Sequence, residues 1–235
     1  MHARSAPFYS NTPYYFLLLL LIALVGFFPS FFSRLGDAKP VHVFHGGIAT
    51  LWMLLLISQG WLVRNRQLGL HRLVGKCSIV LAVLFVVSAL MITHDMLTRD
   101  GGFAKMFGPR LAFIDLSTVV YFAFCYCAAI YHRRDMQLHA RFMVCTALPL
   151  LPPALSRALG HYVLSTGASF DLALHLSFLA AELIAVALLV HDARGGRVRA
   201  PYLILLAVLL VQQASFVWAI EFSPWRAAVA WIAAF

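Results

Sequence analysis

Apolar residues fall in seven long runs along this chain, at 14–32, 44–63, 73–97, 111–131, 142–159, 172–190 and 202–220, with polar residues gathered between them. Each run holds about 18–25 residues, the length an α-helix needs to cross roughly 30 Å of hydrocarbon. The pattern predicts an all-α fold: a polytopic membrane protein built as a seven-transmembrane-helix bundle. Residues 14–235 form one transmembrane domain in this reading, preceded by a polar cytoplasmic tail at 1–13. Glycine and proline mark the connections at 36–40, 101–109, 160–167 and 195–201, which predicts loops of roughly 8–15 residues. Pro149, Pro152 and Pro153 lie inside the fifth run. Each removes a backbone donor and crowds the preceding turn, so a kink is expected there. The carbonyls it frees are tolerated only against protein or water, which turns this stretch toward the bundle interior.

Composition agrees with that class. Hydrophobic residues make up 62% of the 235 and charged residues 11%, against roughly a quarter charged in a soluble domain. A net charge of +9 would suit a nucleic-acid partner only if the cations formed a patch, and here they are dispersed over the loops. With the N-terminus inside, Arg4, Arg64, Arg66, Arg72, Lys76, Arg133, Arg134, Arg141, Arg194, Arg197 and Arg199 are cytoplasmic, eleven of the 18 Lys and Arg. The positive-inside rule therefore predicts an N-in, C-out protein of the bacterial inner membrane. Arg4 ahead of the first run resembles a secretory signal, but no small-residue cleavage site follows, so the run reads as a retained helix. The four cysteines, Cys77, Cys125, Cys127 and Cys145, fall inside runs and read as buried thiols rather than a disulfide.

The ten histidines crowd at the ends of the runs. His71, His132, His139 and His191 belong to the predicted cytoplasmic layer; His42, His45, His94, His161 and His175 belong to the outer one, and His2 to the tail. Most read as interfacial polar residues. His45 differs in opening a His-Gly-Gly sequence whose glycines let a helix or a flat ligand come close. His71 lies one helical turn before Gly75, a pairing that offers an imidazole to haem iron and no side chain where the macrocycle passes. Asp115, Arg157 and Glu182 sit inside runs, where charges pair or line wet cavities. Asp171, His175 and Glu182 share one helix face, and Asp171 is placed to orient His175 as outer carboxylates do at metal sites. A polar outer pocket of His45, His94, Asp95, Asp171 and His175 is geometrically possible.

These motifs give two resemblances. Across about 40–225 the chain resembles an uncharacterised family of bacterial seven-helix integral membrane proteins, through His45-Gly46, Trp52 and Gln59, His71-Arg72-Leu73-Val74-Gly75, His139-Ala140-Arg141, Pro152-Pro153-Ala154 with Arg157, and the aromatic segment at Trp225. Ala140 stands where that family has a basic residue. The resemblance implies fold and topology only. A shorter one, His45-Gly46 to Gln59 and His71-Arg72-x-x-Gly75, is to two ligand helices of the transmembrane di-haem cytochromes of the ascorbate-oxidising type. It implies haem b on histidines from opposite membrane sides, without copies of that family's other ligand helices.

Three functions follow as expectations. The first is a membrane-embedded haem-b redox or electron-transfer protein, linked to quinone or a redox partner. An inner haem would lie between His71 and His139 beside Gly75, with Arg72 and Arg141 on its propionates, and an outer haem would use His45 with His94 or His175. The second is a seven-helix zinc-dependent hydrolase, its metal held by His45, His94 and His175 with Asp95 or Asp171. It departs from those hydrolases in offering only His42-x-x-His45 and Ser88 ahead of His94. The third is a non-catalytic transporter-like, sensory or assembly-factor protein, in which the broken fifth helix and Arg157 suit a small-anion or lipid-binding cavity. In all three the lipid bilayer is the first partner and nucleic acid is not one.

Overall fold

The computed structural model describes residues 11–164 and 169–234, and over these it is helical with no strand. Nine α-helices run α1 Thr12–Phe27, α2 Pro40–Arg64, α3 Leu68–Thr98, α4 Gly102–Tyr131, α5 Met136–Cys145, α6 Leu151–Ala158, α7 Phe170–Arg194, α8 Ala200–Trp218 and α9 Ser223–Ile232 among the described residues. Six segments are long and apolar enough to cross a membrane: α2, α3, α4, the Met136–Val163 stretch, α7 and α8. The first run forms only the 16-residue α1, because Pro29 and the 3-10 turn Phe32–Asp37 take its end. Of the tail read at 1–13, residues 1–10, with His2, lie outside the described residues, as does 165–168 of the loop read at 160–167.

Helices α2, α3, α4 and α7 are longer, and the loops beside them shorter, than the apolar runs imply. α4 begins at Gly102 and keeps Pro109 inside it, so most of the predicted 101–109 loop is helix. Flanking residues extend α2, α3, α4 and α7 beyond their apolar runs because backbone hydrogen bonding does not require apolar side chains. Local chemistry fixes several starts. Pro13, Pro40, Pro201 and Pro224 stand in first turns, where the missing N–H has no partner to lose. Asp135 caps α5 by accepting from the N–H groups of Gln137 (2.9 Å) and Leu138 (3.1 Å), and Ser169 caps α7 through Leu172. Gly196, at φ 84°, ends the turn after α7 in a conformation that suits glycine.

The packing order closes on itself. α1 packs on α2, α2 on α3, α3 on α4, α4 on α8, α8 on α7, α7 on α6, and α6 back on α1. The fifth run crosses this ring obliquely. Its first half, α5, lies on α4 and α8; its second half, α6, lies between α1 and α7. Between them the chain breaks at Thr146 and passes through a 3-10 turn, Leu148–Leu150, and residues 145–149 are all buried. The prolines account for the break, and its buried position satisfies the requirement that freed carbonyls avoid lipid. Small residues set the close contacts, as membrane helix packing requires. Gly26 of α1 rests on the Ala154 backbone, Gly60 of α2 on Pro13, and Ala112, Ala129, Ala154, Ala181 and Ala185 are fully enclosed. The centre of the α2, α3 and α4 face is aromatic: Trp52 meets Phe122 at 4.8 Å and Tyr126 at 5.7 Å, and Phe85 stacks on Phe122 at 4.3 Å.

Two of the cysteines depart from the buried reading. Cys125 and Cys145 are buried, but Cys77 and Cys127 are exposed on the outside of the bundle, and all four are free.

Candidate functional site

His71 and His139 meet at the end of the bundle where α2 turns into α3 and α4 into α5. Each is the fourth residue of its helix, so each imidazole leaves the first helical turn at the same height. Their ring centroids are 6.3 Å apart and their planes stand at 83°. The loops 65–67 and 132–135 make this possible by returning the chain within a few residues, which brings both helix starts to one end.

The Nδ1 atom of each ring is held by the protein. His139 Nδ1 donates to the Ala129 carbonyl at 2.8 Å, leaving Nε2 with the lone pair. His71 is held by Gln59, a buried residue of α2 that reaches across to α3. With donors set against acceptors, the Gln59 amide donates to the His71 carbonyl at 3.2 Å and to His71 Nδ1, and its oxygen accepts from Gly75 N–H at 3.1 Å. One side chain thus grips the whole turn from His71 to Gly75. Below it, Ser78 donates to the Gly75 carbonyl at 2.6 Å and shares a 2.8 Å hydrogen bond with Tyr126, which leads into the Trp52 cluster.

This donor set can be compared with what haem b requires. Metal–imidazole bonds of about 2 Å on both sides, with about 1 Å from nitrogen to ring centre, put two opposed axial rings about 6 Å apart. The spacing of His71 and His139 fits that value. A Cβ at Gly75 would meet nothing within 4 Å, so space is open beside the turn. At His139 the Nδ1–H held by a carbonyl is the second-layer arrangement that leaves Nε2 free for a metal, whereas at His71 Nδ1 accepts from Gln59 and the proton sits on Nε2. For His71, ligation through Nε2 puts the proton on Nδ1 and needs the Gln59 amide turned over, its oxygen then accepting that proton.

The two arginines expected near this pair separate. Arg72 is exposed and available. Arg141 does not serve as a free anion clamp. It is buried and committed to Asp192 of α7, with Nε donating at 2.9 and 3.1 Å and Nη2 closing a second arm, while Nη1 donates to the Gln137 carbonyl at 2.9 Å. Its guanidinium also stands 5.7 Å from the centre of the Tyr202 ring. Helix α7 supplies a counter-ion where the sequence pattern offered only the polar end of an apolar run, and a buried guanidinium takes the partner that is fixed in place.

At the other end of the bundle the proposed zinc set does not gather. Among the described residues, no three His, Cys, Asp or Glu side chains come together as a metal site. His45 bonds Ser88 through Nδ1 at 3.1 Å and lies against Phe85, so Ser88 partners His45 and not His94. Asp95 is taken by Lys39 at 2.8 Å and by Arg99, and Arg99 also donates to His42 Nε2 at 2.7 Å. His42 is in the first turn of α2. Asp171 does not orient His175: its Oδ1 has no hydrogen-bond partner, while the His175 ring stands edge-on to Phe216. His94 Nε2 is likewise buried without a partner. Lys39, just ahead of α2, and Arg99, one turn beyond Asp95 at the end of α3, occupy the Asp95 carboxylate, which takes it out of the outer set.

Two contributors to the His71 and His139 site were not identified as such from the sequence. The Ala129 carbonyl carries no side-chain signal at all. Gln59 does, as a polar residue within an apolar run, about four helical turns beyond His45 of the His-Gly motif. No family model matches the chain, and no curated protein or solved structure is similar to it.

Proposed function

We propose that this chain is a seven-span protein of the bacterial inner membrane, N-terminus inside and C-terminus outside, that holds haem b between His71 and His139. In this reading it passes electrons to or from quinone or a redox partner. The observation that carries the proposal is the imidazole pair with ring centroids 6.3 Å apart, each ring held at Nδ1 and with no hydrogen-bond partner on Nε2 among the described residues. Bound there, haem b would supply one-electron chemistry. The chain's own part is to orient His139 from the Ala129 carbonyl, to hold the His71 ring through Gln59, whose amide turns over when Nε2 ligates, and to offer Arg72 to an acidic edge. Charge supports the orientation: the His71 end carries the larger share of Lys and Arg, as cytoplasmic loops do.

The test is an absorption spectrum of detergent-purified protein expressed with ample haem. A reduced b-type spectrum is expected, lost in His71→Ala and in His139→Ala and retained in His132→Ala. Wild-type protein without that absorption would overturn the reading. A C-terminal alkaline phosphatase fusion tests the orientation, which fails if the enzyme is inactive while a C-terminal fluorescent fusion is bright.

A further inference from the structure

The end of the bundle opposite His71 and His139 holds a cavity that neither histidine uses. Its volume is about 240 Å³, and it lies where the end of α3, the 99–101 link, the start of α4 and α9 come together. Leu97, Pro109 and Val229 give it apolar walls, and Arg99, Asp100 and Lys105 give it polar ones. At roughly 30 Å³ per water it has room for about eight waters, which suits a headgroup and not a large cofactor.

Helix α9 places this cavity at the membrane boundary. Its 10 residues make about 15 Å of helix, too short to cross a bilayer, and none of them is fully buried. The long apolar α8 ends at Trp218, and α9 begins only a short turn later at Ser223. That confines α9 to the level of the lipid headgroups. Trp225 pins it there: Nε1 donates to the Pro109 carbonyl at 2.8 Å, and the ring meets Phe113 edge-on at 5.2 Å. Val229, four residues on, shares the helix face of Trp225 and so closes the cavity from that side. Trp231 stays 65% exposed, as tryptophans of an interfacial belt do.

Charge decides what fits. Asp95, next to Arg99, already accepts from Lys39 at 2.8 Å and from Arg99 Nε at 3.2 Å. Arg99 Nη1 has no hydrogen-bond partner among the described residues. Lys105 pairs with Asp100 at 3.1 Å, but the two side chains are 71% and 97% exposed, and surface pairs of this kind contribute little. The first turn of α4, in the same wall, has no acidic residue, and Gly101 offers its N–H groups no side-chain cap. A cation would find one carboxylate taken and the other in water. An anion finds a guanidinium arm and an ammonium, with apolar walls beside them.

We infer that this cavity binds the headgroup of an anionic phospholipid from the adjoining leaflet. Its phosphate lies between Arg99 and Lys105, and its glycerol lies against Leu97, Pro109 and Val229. The apolar walls and the headgroup level of α9 favour a lipid over free phosphate.

The experiment melts the full chain, purified in detergent, with phosphatidylglycerol, phosphatidylcholine or inorganic phosphate added. The expected result is a saturable rise in melting temperature with phosphatidylglycerol, a smaller one with phosphatidylcholine and none with inorganic phosphate. In Lys105→Gln the phosphatidylglycerol concentration at half the rise should increase about fivefold, the share of one cation at a lipid surface. In Val229→Trp, which fills the cavity, the preference for phosphatidylglycerol should be lost. Arg134→Gln, at the opposite end of α4, should keep it. Equal rises with the two lipids, a rise with inorganic phosphate matching that with phosphatidylglycerol, or an unchanged half-point in Lys105→Gln would each overturn the inference, as would an equal loss in Arg134→Gln. If Val229→Trp does not fold, Lys105→Gln decides, because that side chain lies mostly in solvent. A missing haem spectrum leaves this result untouched, because none of these residues belongs to the haem reading.

Discussion

Replacing Asp192 with asparagine isolates the buried charge on Arg141. The side chains of Arg141 and Asp192 are 6% and 1% exposed, so neither reaches solvent if the other is lost. Removing one member of such a pair leaves an uncompensated buried charge, at a cost of about 3–5 kcal/mol, whereas replacing both by well-packed apolar residues is often neutral. In Asp192→Asn the guanidinium keeps Gln137, at the carbonyl and at Oε1, which places the expected loss at the lower end, about 3 kcal/mol. For a chain of this size that is a fall in melting temperature of roughly 6–12 °C. Thermal unfolding of detergent-purified protein measures it, with the double variant Arg141→Met with Asp192→Leu as the reference. The double variant should lie closer to wild type than Asp192→Asn does. If Asp192→Asn melts with the wild type, or if the double variant falls as far as the single one, the ion pair is not what holds α5 to α7. Arg141 would then be open to another anionic partner.

Two further outcomes follow from local geometry. Gly26→Ala would set a Cβ against the Ala154 carbonyl, 2.9 Å from its carbon, and should cost about 1–3 kcal/mol, while Gly36→Ala, with nothing within 4 Å, should be near neutral; equal melting of the two variants would refute close α1–α6 contact. The N–H groups of Leu138, first, and Gln137 hold the Asp135 carboxyl below the usual aspartate range. Its contribution is therefore complete above the unfolded value of about 3.9 and is lost as pH falls through the lower folded value, so Asp135→Asn should lower the melting temperature at neutral pH, leave it near wild type at the acid end and flatten the profile between them.

Much of the fold was legible because lipid imposes one strong rule: every backbone polar group must be satisfied within a helix, and apolar length reports that directly. The break in the fifth run was readable for the same reason, since three prolines cannot be carried through one helix. The ends were less readable. Helix α4 runs back to Gly102 through Pro109, Gly108 and Lys105 because its start is decided by turn geometry and not by hydropathy. The His71 and His139 pairing could be anticipated from two equivalent helix starts on one side. The fates of Arg141 and Asp95 could not be. Each is decided in part by which opposite charge a neighbouring segment brings close, Asp192 of α7 for Arg141 and Lys39 ahead of α2 for Asp95, and that depends on ring order and rotation; the second partner of Asp95, Arg99, is its own neighbour one turn on. Sequence periodicity carries little of that information in helices apolar on nearly every face.

The crossing of the fifth run ties the two ends of the molecule together, and the prolines are where that can be tested. In a helix interior each proline costs about 3 kcal/mol relative to alanine, so propensity alone predicts that alanine at 149, 152 and 153 would stabilise the protein. The structure predicts the opposite. Pro152 and Pro153 occupy the first turn of α6 and Pro149 the 3-10 turn before it, positions where proline loses little. A straight helix continuing α5 could not lie on α4 and α8 at one end and reach Gly26 of α1 at the other. Alanine at all three positions should therefore lower the melting temperature and speed amide exchange in α6 and in the Gly26 turn of α1. His139, at the far end of α5, should keep the protection of its own helix start. A triple variant that melts higher than wild type, with unchanged exchange in α1, would mean that the break is incidental to the way the ring closes.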